Sequence, residues 1–287
     1  MKRTTLRRPN LPLPGGRKND LPEGQTRFVC TVAYDGTDFF GWQSQASGNT
    51  VQDFLERRLG QIFRRPIRIH GSGRTDSGVH ARGQVFHFDA EWRHGLDSLR
   101  GALRTGLPQG IVVTGIKLGK GNFHARFSAY GKRYSYHLYE GFALPMKTRF
   151  CLSLGKRTLD VAAMQSAAAM LLGVHDFSAF GGRHRDTSDK ENPVKDLRRL
   201  EVRRRGKHIV VTTEASGYLY KMVRRLVGGL LEVGLGHMTP EELLAYRAAG
   251  VADARVPTAP AKGLVMERVF YAMPKNANDH GLAGGAE

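Results

Sequence analysis

Apolar and polar positions along this chain repeat with a period of two in some stretches and of three to four in others. Arg27 to Tyr34 reads as a strand. After Thr50, the residues Val51, Phe54, Leu55, Leu59, Ile62 and Phe63 fall on one helical face, and Asp53 completes a capping box with Thr50. Strand alternation returns near 66–70 and 83–89. Asp97 is placed to cap a helix running to about Arg104, and Ile111 to Leu118 is another strand.

The second half follows the same plan. Ala125 to Tyr139 alternates like a strand, and Leu159 to Leu172 reads as a helix burying Val161, Met164, Ala168, Leu171 and Leu172. Strands are expected near 196–204 and 208–215, then a helix from about Tyr218 to Val233. Thr239-Pro240-Glu241-Glu242 starts another helix by capping box and first-turn proline, and Gly263 to Tyr271 closes with a strand. The predicted class is α+β, with two β-α-β-β-α-β or ferredoxin-like subdomains. Their sheets would lie side by side around a basic cleft. The boundaries that follow are a disordered basic tail over 1–26, subdomains over 27–122 and 123–273, and a flexible tail over 274–287.

Charge sharpens this picture. The 44 Lys and Arg exceed the 26 Asp and Glu by 18, an excess that favours a polyanion such as RNA or DNA as partner. Cys30 and Cys151 are the only cysteines, which fits reduced thiols in a cytoplasmic setting. No apolar run approaches the roughly 20 residues of a membrane span, and Met1-Lys2-Arg3 is followed by no apolar signal segment. The histidines, His80 and His87 among them, show no zinc-binding spacing, so no metal is expected. The runs Arg198-Arg199 and Arg203-Arg204-Arg205 would form a basic face for phosphates.

The candidate chemistry lies in Gly73-Arg74-Thr75-Asp76-Ser77-Gly78-Val79-His80. A glycine-rich connection between strands can hold one carboxylate rigidly while exposing it. Asp76 there fits a turn former, a nucleophile, a base or the partner of a cation. A phosphate loop is excluded because Val79-His80 follows Gly78 where Lys-Ser or Lys-Thr is required. A dinucleotide fingerprint is excluded because Asp76 takes the third glycine position.

Other segments accompany it. They are the aromatic glycine loop Tyr34-Asp35-Gly36-Thr37-Asp38-Phe39-Phe40-Gly41-Trp42-Gln43, then Phe123-His124-Ala125-Arg126-Phe127-Ser128-Ala129 leading into Lys132-Arg133-Tyr134. His175-Asp176-Phe177-Ser178-Ala179-Phe180, Tyr220-Lys221-Met222-Val223-Arg224 and Pro260-Ala261-Lys262-Gly263-Leu264 follow. Together, from about Phe28 to Tyr271, they resemble the tRNA pseudouridine synthase A family, the TruA family. The resemblance implies two ferredoxin-like subdomains, a homodimer, no metal or organic cofactor, and isomerisation of uridine to pseudouridine at positions 38 to 40 of the tRNA anticodon stem-loop.

It also assigns roles. Asp76 matches the nucleophile, with attack at ribose C1′ and at base C6 both open. Arg74 matches the residue that helps displace the base. Tyr134 matches the active-site tyrosine, placed to stack on the uracil and assist proton removal at C5, with a core tyrosine ladder through Tyr136 as the competing reading. Arg224 matches the arginine that pairs with the carboxylate, and Leu264 an apolar residue against the base. Lys132 and Arg133 are expected to bind substrate. Two departures stand out: Arg225 where an Asn is usual, and a long charged loop from Gly181 to Asn192.

Overall fold

In the computed structural model, which describes residues 21, 24–182 and 192–271, sixteen regular elements are built around one ten-stranded sheet. The basic tail before residue 21, most of the loop 181–192 and the tail beyond 271 lie outside the described residues. The first half runs β1 (Thr26–Tyr34), α1 (Val51–Phe63), β2 (His70–Gly71), β3 (His80–Ala90), α2 (Leu96–Arg104) and β4 (Ile111–Leu118). The second runs β5 (Gly131–Tyr139), α3 (Pro145–Thr148), β6 (Leu152–Ser153), α4 (Val161–Met170), β7 (Gly173–Asp176), β8 (Val194–Arg205), β9 (His208–Ala215), α5 (Met222–Gly234), α6 (Pro240–Ala249) and β10 (Leu264–Phe270).

The main strand order is β4-β1-β3-β10-β5-β9-β8-β7, with β2 also on β3 and β6 on β5. Most pairings are antiparallel. The two halves meet where β10 runs parallel to β3, through Val265 opposite His80 and Met266 opposite Ala81. Further along β3, β2 takes over, with His70 opposite His87 and Gly71 opposite Phe86. Two strands from different halves therefore share β3, and the connection from β2 to β3 leaves the sheet close to where they meet.

Packing follows the apolar faces. In the first half Phe28, Phe86 and Phe88 are buried, and Phe63 of α1 packs edge-on against both Phe88 and Trp92. In the second, Met164 and Ala168 of α4 are buried, as are Leu226 and Leu230 of α5 and Leu243 and Tyr246 of α6. Gly228 lets residue 257 pass against α5, because a Cβ there would overlap Pro257 O. Both predicted capping boxes, at Thr50 and at Thr239, are present.

The structure corrects several sequence expectations. The expected strand at 66–70 contributes only His70–Gly71 to the sheet, while Ile67 and Ile69 are buried before it without ladder pairing. Gly95, not Asp97, caps α2, and Asp97 sits in the first turn paired with Arg100 at 2.6 Å. Asp160 caps α4 by accepting Ala163 N–H, so the helix starts at Val161; it ends at Met170, and Leu172 beyond its C-cap Leu171 is exposed. The strand expected from Ala125 begins at Gly131, since 124–128 closes into a turn through Ser128 N–H to His124 O. The helix expected from Tyr218 begins at Met222. Cys30 and Cys151 are both buried and unpaired. No helix among the described residues is long and apolar enough to cross a membrane.

Candidate active site

The glycine loop around Asp76 is held by residues from three directions. Ser72 N–H donates to Val85 O at 2.7 Å, and the Gln84 amide donates to Gly73 O at 2.9 Å, which ties the start of the loop to β3. Val79 N–H closes the turn on Asp76 O at 3.1 Å, with Gly78 at φ +77°. The aromatic glycine loop braces the other side. Trp42 N–H donates to Thr75 O, Ser77 Oγ to Phe39 O, and the Tyr34 and Thr75 hydroxyls bond at 2.9 Å. Gly41 makes this approach possible: its φ is +85°, and a Cβ there would stand 2.5 Å from Thr75 O. The first aromatic loop is thus the scaffold of the second loop's carboxylate.

Across the seam, α5 supplies the counter-ion. Arg224 Nη1 lies 2.6 Å from Asp76 Oδ2, and Arg224 Nε donates to Ala259 O at 2.7 Å. Asp76 is 22% exposed and Arg224 16%, so the pair is sheltered yet reachable. Lys221, just before α5, has φ +60°, a left-handed conformation unusual for a residue with a side chain. Such strain collects at functional sites.

These groups line one cleft of about 910 Å³. Arg74, Asp76, Lys132, Tyr134, Arg224 and Leu264 all face it. Among the described residues that line it, Asp76 is the one carboxylate, while Arg68, Arg126 and Lys221 add positive charge. Arg74 is exposed and, among the described residues, makes no ion pair with Asp76, leaving its head group available to a ligand. Lys132 reaches toward the loop backbone: a Cβ on Gly73 would stand 2.5 Å from Lys132 Nζ.

Tyr134 is 7% exposed, and its ring meets Tyr218 edge-on at 5.2 Å. Burial pushes its phenol well above the usual tyrosine range, with Tyr34, Tyr218 and Asp76 adding to the shift. Tyr136, two residues on, is fully buried and donates to Pro260 O at 2.8 Å, a core role distinct from Tyr134's place in the cleft. Arg133 is not among the cleft residues. It pairs with Glu214 at 2.9 Å and lies over the Phe270 ring. The two-residue pleat of β5 accounts for this split between 132 and 134 on one side and 133 on the other.

Leu264 is buried where β10 begins. Arg225 donates to Tyr246 OH at 2.8 Å and to Asp253 O at 3.0 Å, so the unusual residue after Arg224 pins the segment beyond α6. Arg198, Arg199 and Arg204 are engaged with Asp196, Glu201 and Glu140, and none of them lines the cleft. Trp42, Arg68 and Tyr218 also line the cleft, beyond the site residues expected from sequence. Only the Gly-Trp-Gln motif carried a signal for any of them. No group of three or more His, Cys, Asp or Glu among the described residues is placed to hold a metal.

Chemically, a lone carboxylate held against an arginine in a basic, aromatic cleft suits covalent or electrostatic work on an anionic, planar substrate. Sequence comparison with known proteins points the same way. The family model described as tRNA pseudouridine synthase matches residues 31–128 and 167–272. The tRNA pseudouridine synthase A of Solidesulfovibrio magneticus is 42% identical over 262 residues, covering 89% of this chain and 95% of that protein. The enzyme of the same name from Shouchella clausii is 39% identical, over 88% of this chain and 97% of its own. A chain from the crystal structure of a Cbf5-Nop10-Gar1 complex aligns with a TM-score of 0.32 at 12% identity, over 71% of this chain and 45% of that one.

Proposed function

This chain belongs to the tRNA pseudouridine synthase family, an isomerase family acting on uridine in tRNA, and on that premise we propose that it converts uridine to pseudouridine at positions 38 to 40 of the anticodon stem-loop, with Asp76 as nucleophile. The observation that carries the assignment is that Asp76 is the one carboxylate lining the cleft among the described residues, and that it is fixed against Arg224.

The reaction breaks the N1–C1′ bond, turns the uracil and joins C5 to C1′; C5 loses a proton and N1 gains one. Nothing is oxidised and no atom is lost, so a carboxylate that holds an adduct while the base turns is sufficient. Arg224 keeps that carboxylate paired and aimed. Arg74, exposed at the same cleft, takes the place of the base as it leaves the stack. Tyr134 lies against the flipped uracil, with its protonated phenol near the reacting atoms. Leu264 supplies apolar contact, and Lys132 binds the RNA backbone near Gly73.

The same reading extends to architecture. Each half is proposed as a ferredoxin-like subdomain, over 27–122 and 123–273. The orders β4-β1-β3-β2 and β10-β5-β9-β8 support this, since each places its elements in equivalent positions. The protein is proposed to act as a cytoplasmic homodimer without a cofactor. Exposed Phe142, Leu144 and Met146, close together in sequence, offer an apolar surface for a second copy.

The test is pseudouridine formation on a short anticodon stem-loop under single-turnover conditions. Asp76→Ala is expected to fall to background, beyond the roughly 10²–10⁴-fold lost with a general acid or base alone, while still binding RNA. Asp35→Ala and Asp38→Ala, outside the cleft lining, are expected to keep measurable chemistry. If Asp76→Ala keeps a substantial rate, the nucleophile assignment is wrong.

A further inference from the structure

A cleft of about 910 Å³ is near the top of the roughly 300–1,000 Å³ range that accommodates a drug-sized ligand. One uracil at Asp76 leaves much of it for neighbouring nucleotides. The segment after Phe123 lines it with Phe127, a ring that is 53% exposed. Isolated exposed rings are common on protein surfaces. This one differs in being mounted on a fixed support.

The Phe127 ring centroid stands 4.4 Å from that of His124, with the planes inclined by 32°. His124 is itself locked. Its Nδ1 accepts the backbone N–H groups of Arg126 at 3.1 Å and Phe127 at 3.3 Å, which leaves the ring proton on Nε2. Its backbone N–H donates to Ser128 Oγ at 3.0 Å, and its ring meets His87 edge-on at 4.7 Å. His87 in turn accepts Ala125 N–H at 3.2 Å. Burial and nearby positive charge bring the His124 imidazole down to about 4, so the support is uncharged at neutral pH. A half-exposed ring, pre-positioned and backed by a neutral imidazole, has little freedom left to lose when a base stacks on it.

We infer that Phe127, backed by His124, is a stacking platform for an unpaired nucleobase adjacent to the target uridine. This rests on the tRNA-modifying reading above and adds a binding residue to it. His124 acts through Phe127 as a positioning residue and does not touch the RNA base.

The experiment measures binding of an anticodon stem-loop RNA by wild type, Phe127→Ala, Phe127→Leu and Phe127→Trp, alongside RNAs with a single abasic nucleotide at each position flanking the target. Phe127→Ala is expected to weaken binding about tenfold, as for loss of one base–aromatic stack. Phe127→Trp should match or exceed wild type. Phe127→Leu should resemble the alanine variant, since leucine has no π face. One abasic position should abolish the difference between wild type and Phe127→Ala, and that position names the stacked base. Wild-type affinity in Phe127→Ala, or in Phe127→Leu, overturns the inference, as does a difference that persists at every abasic position. A wild-type protein that forms no pseudouridine sinks the parent reading; pseudouridine formation with Phe127 indifferent sinks only the platform.

Discussion

Arg224 Nη1 meets Asp76 Oδ2 at 2.6 Å although 148 residues separate them, and the same guanidinium donates through Nε to Ala259 O. One planar group thus fixes the carboxylate of one half to a backbone segment of the other. A lysine keeps the charge but not the fork. Arg224→Lys is expected to slow single-turnover pseudouridine formation by about ten- to a hundredfold, the size of one charge-assisted hydrogen bond. Arg224→Met should fall further, because Asp76 then faces the cleft without its counter-ion. Full activity in the lysine variant would show that charge alone suffices.

Tyr134 should hold its proton throughout the working pH range, because burial raises its phenol well above the usual value. A raised phenol pKa favours the neutral form, so no tyrosine ionisation should appear in the rate profile up to about pH 10, the ordinary tyrosine value. Tyr134→Phe keeps the ring and removes the hydroxyl. A phenol that keeps its proton acts as a donor and not as a base, so loss of that donor should lower kcat by about 10²–10⁴-fold, with KM little changed. An alkaline limb near pH 10 that vanishes in Tyr134→Phe would contradict the shift.

Gly41 and Gly48 both have positive φ, yet they should respond differently to alanine. At Gly41 a Cβ would press on Thr75 O and on the Asp76 backbone, whereas at Gly48 the nearest atom is Arg57 Nη2 at 3.8 Å. Each substitution carries backbone strain of about 1 kcal/mol or more. Only Gly41→Ala should also displace the Asp76 loop. The expected result is a larger fall in Tm for Gly41→Ala than for Gly48→Ala, because the clash adds to the shared strain, and a loss of kcat of at least about tenfold for Gly41→Ala alone. Equal rates in the two variants would remove the bracing role of the aromatic loop.

Acid should destabilise the protein through its histidine cluster. His87 is lowered to about 3 and His124 to about 4, chiefly by burial. The unfolded chain would protonate both near pH 6.5, so it binds more protons than the folded chain below that pH. The stability tied to these groups is therefore complete above about 6.5 and is lost as pH falls toward those folded values. Thermal unfolding between pH 7.5 and 4.5 should show Tm falling on acidification. His87→Gln, which keeps an acceptor for Ala125 N–H, should fall less steeply. An unchanged slope would mean that carboxylates elsewhere dominate.

Much of the site could be read from sequence because its parts are local motifs. Asp76 stands between glycines and strands, and Thr50 and Thr239 announce their helices by capping chemistry that needs only four consecutive residues. What escaped depends on contacts between distant segments. The pleat that turns Tyr134 to the cleft turns Arg133 away, but nothing near Arg133 tells that Glu214 is its partner there, and nothing near residue 218 tells that Tyr218 packs on Tyr134. The late start of α5 was hidden for another reason. The apolar periodicity of 218–233 is uninterrupted, but Lys221 turns left-handed before the helix, a backbone choice no side-chain pattern encodes. Leu172 read as core because the helix was expected to run to it, yet α4 ends at Met170, and the turn sends this leucine outward.

The strand at the middle of the sheet is the last one described in the chain. β10 lies between β3 and β5, so a nascent chain that has emerged only as far as α6 has both neighbours but nothing to join them. Until residues 264–270 arrive, the start of β3 at His80–Ala81 and β5 over 131–136 present an unpaired edge, a template for wrong pairing. The cleft is incomplete before then too, because Leu264, the first residue of β10, is part of its lining. Synthesis thus withholds a finished cleft until the sheet is zipped shut, and a chain cut short before its last strand would be both inactive and prone to aggregate.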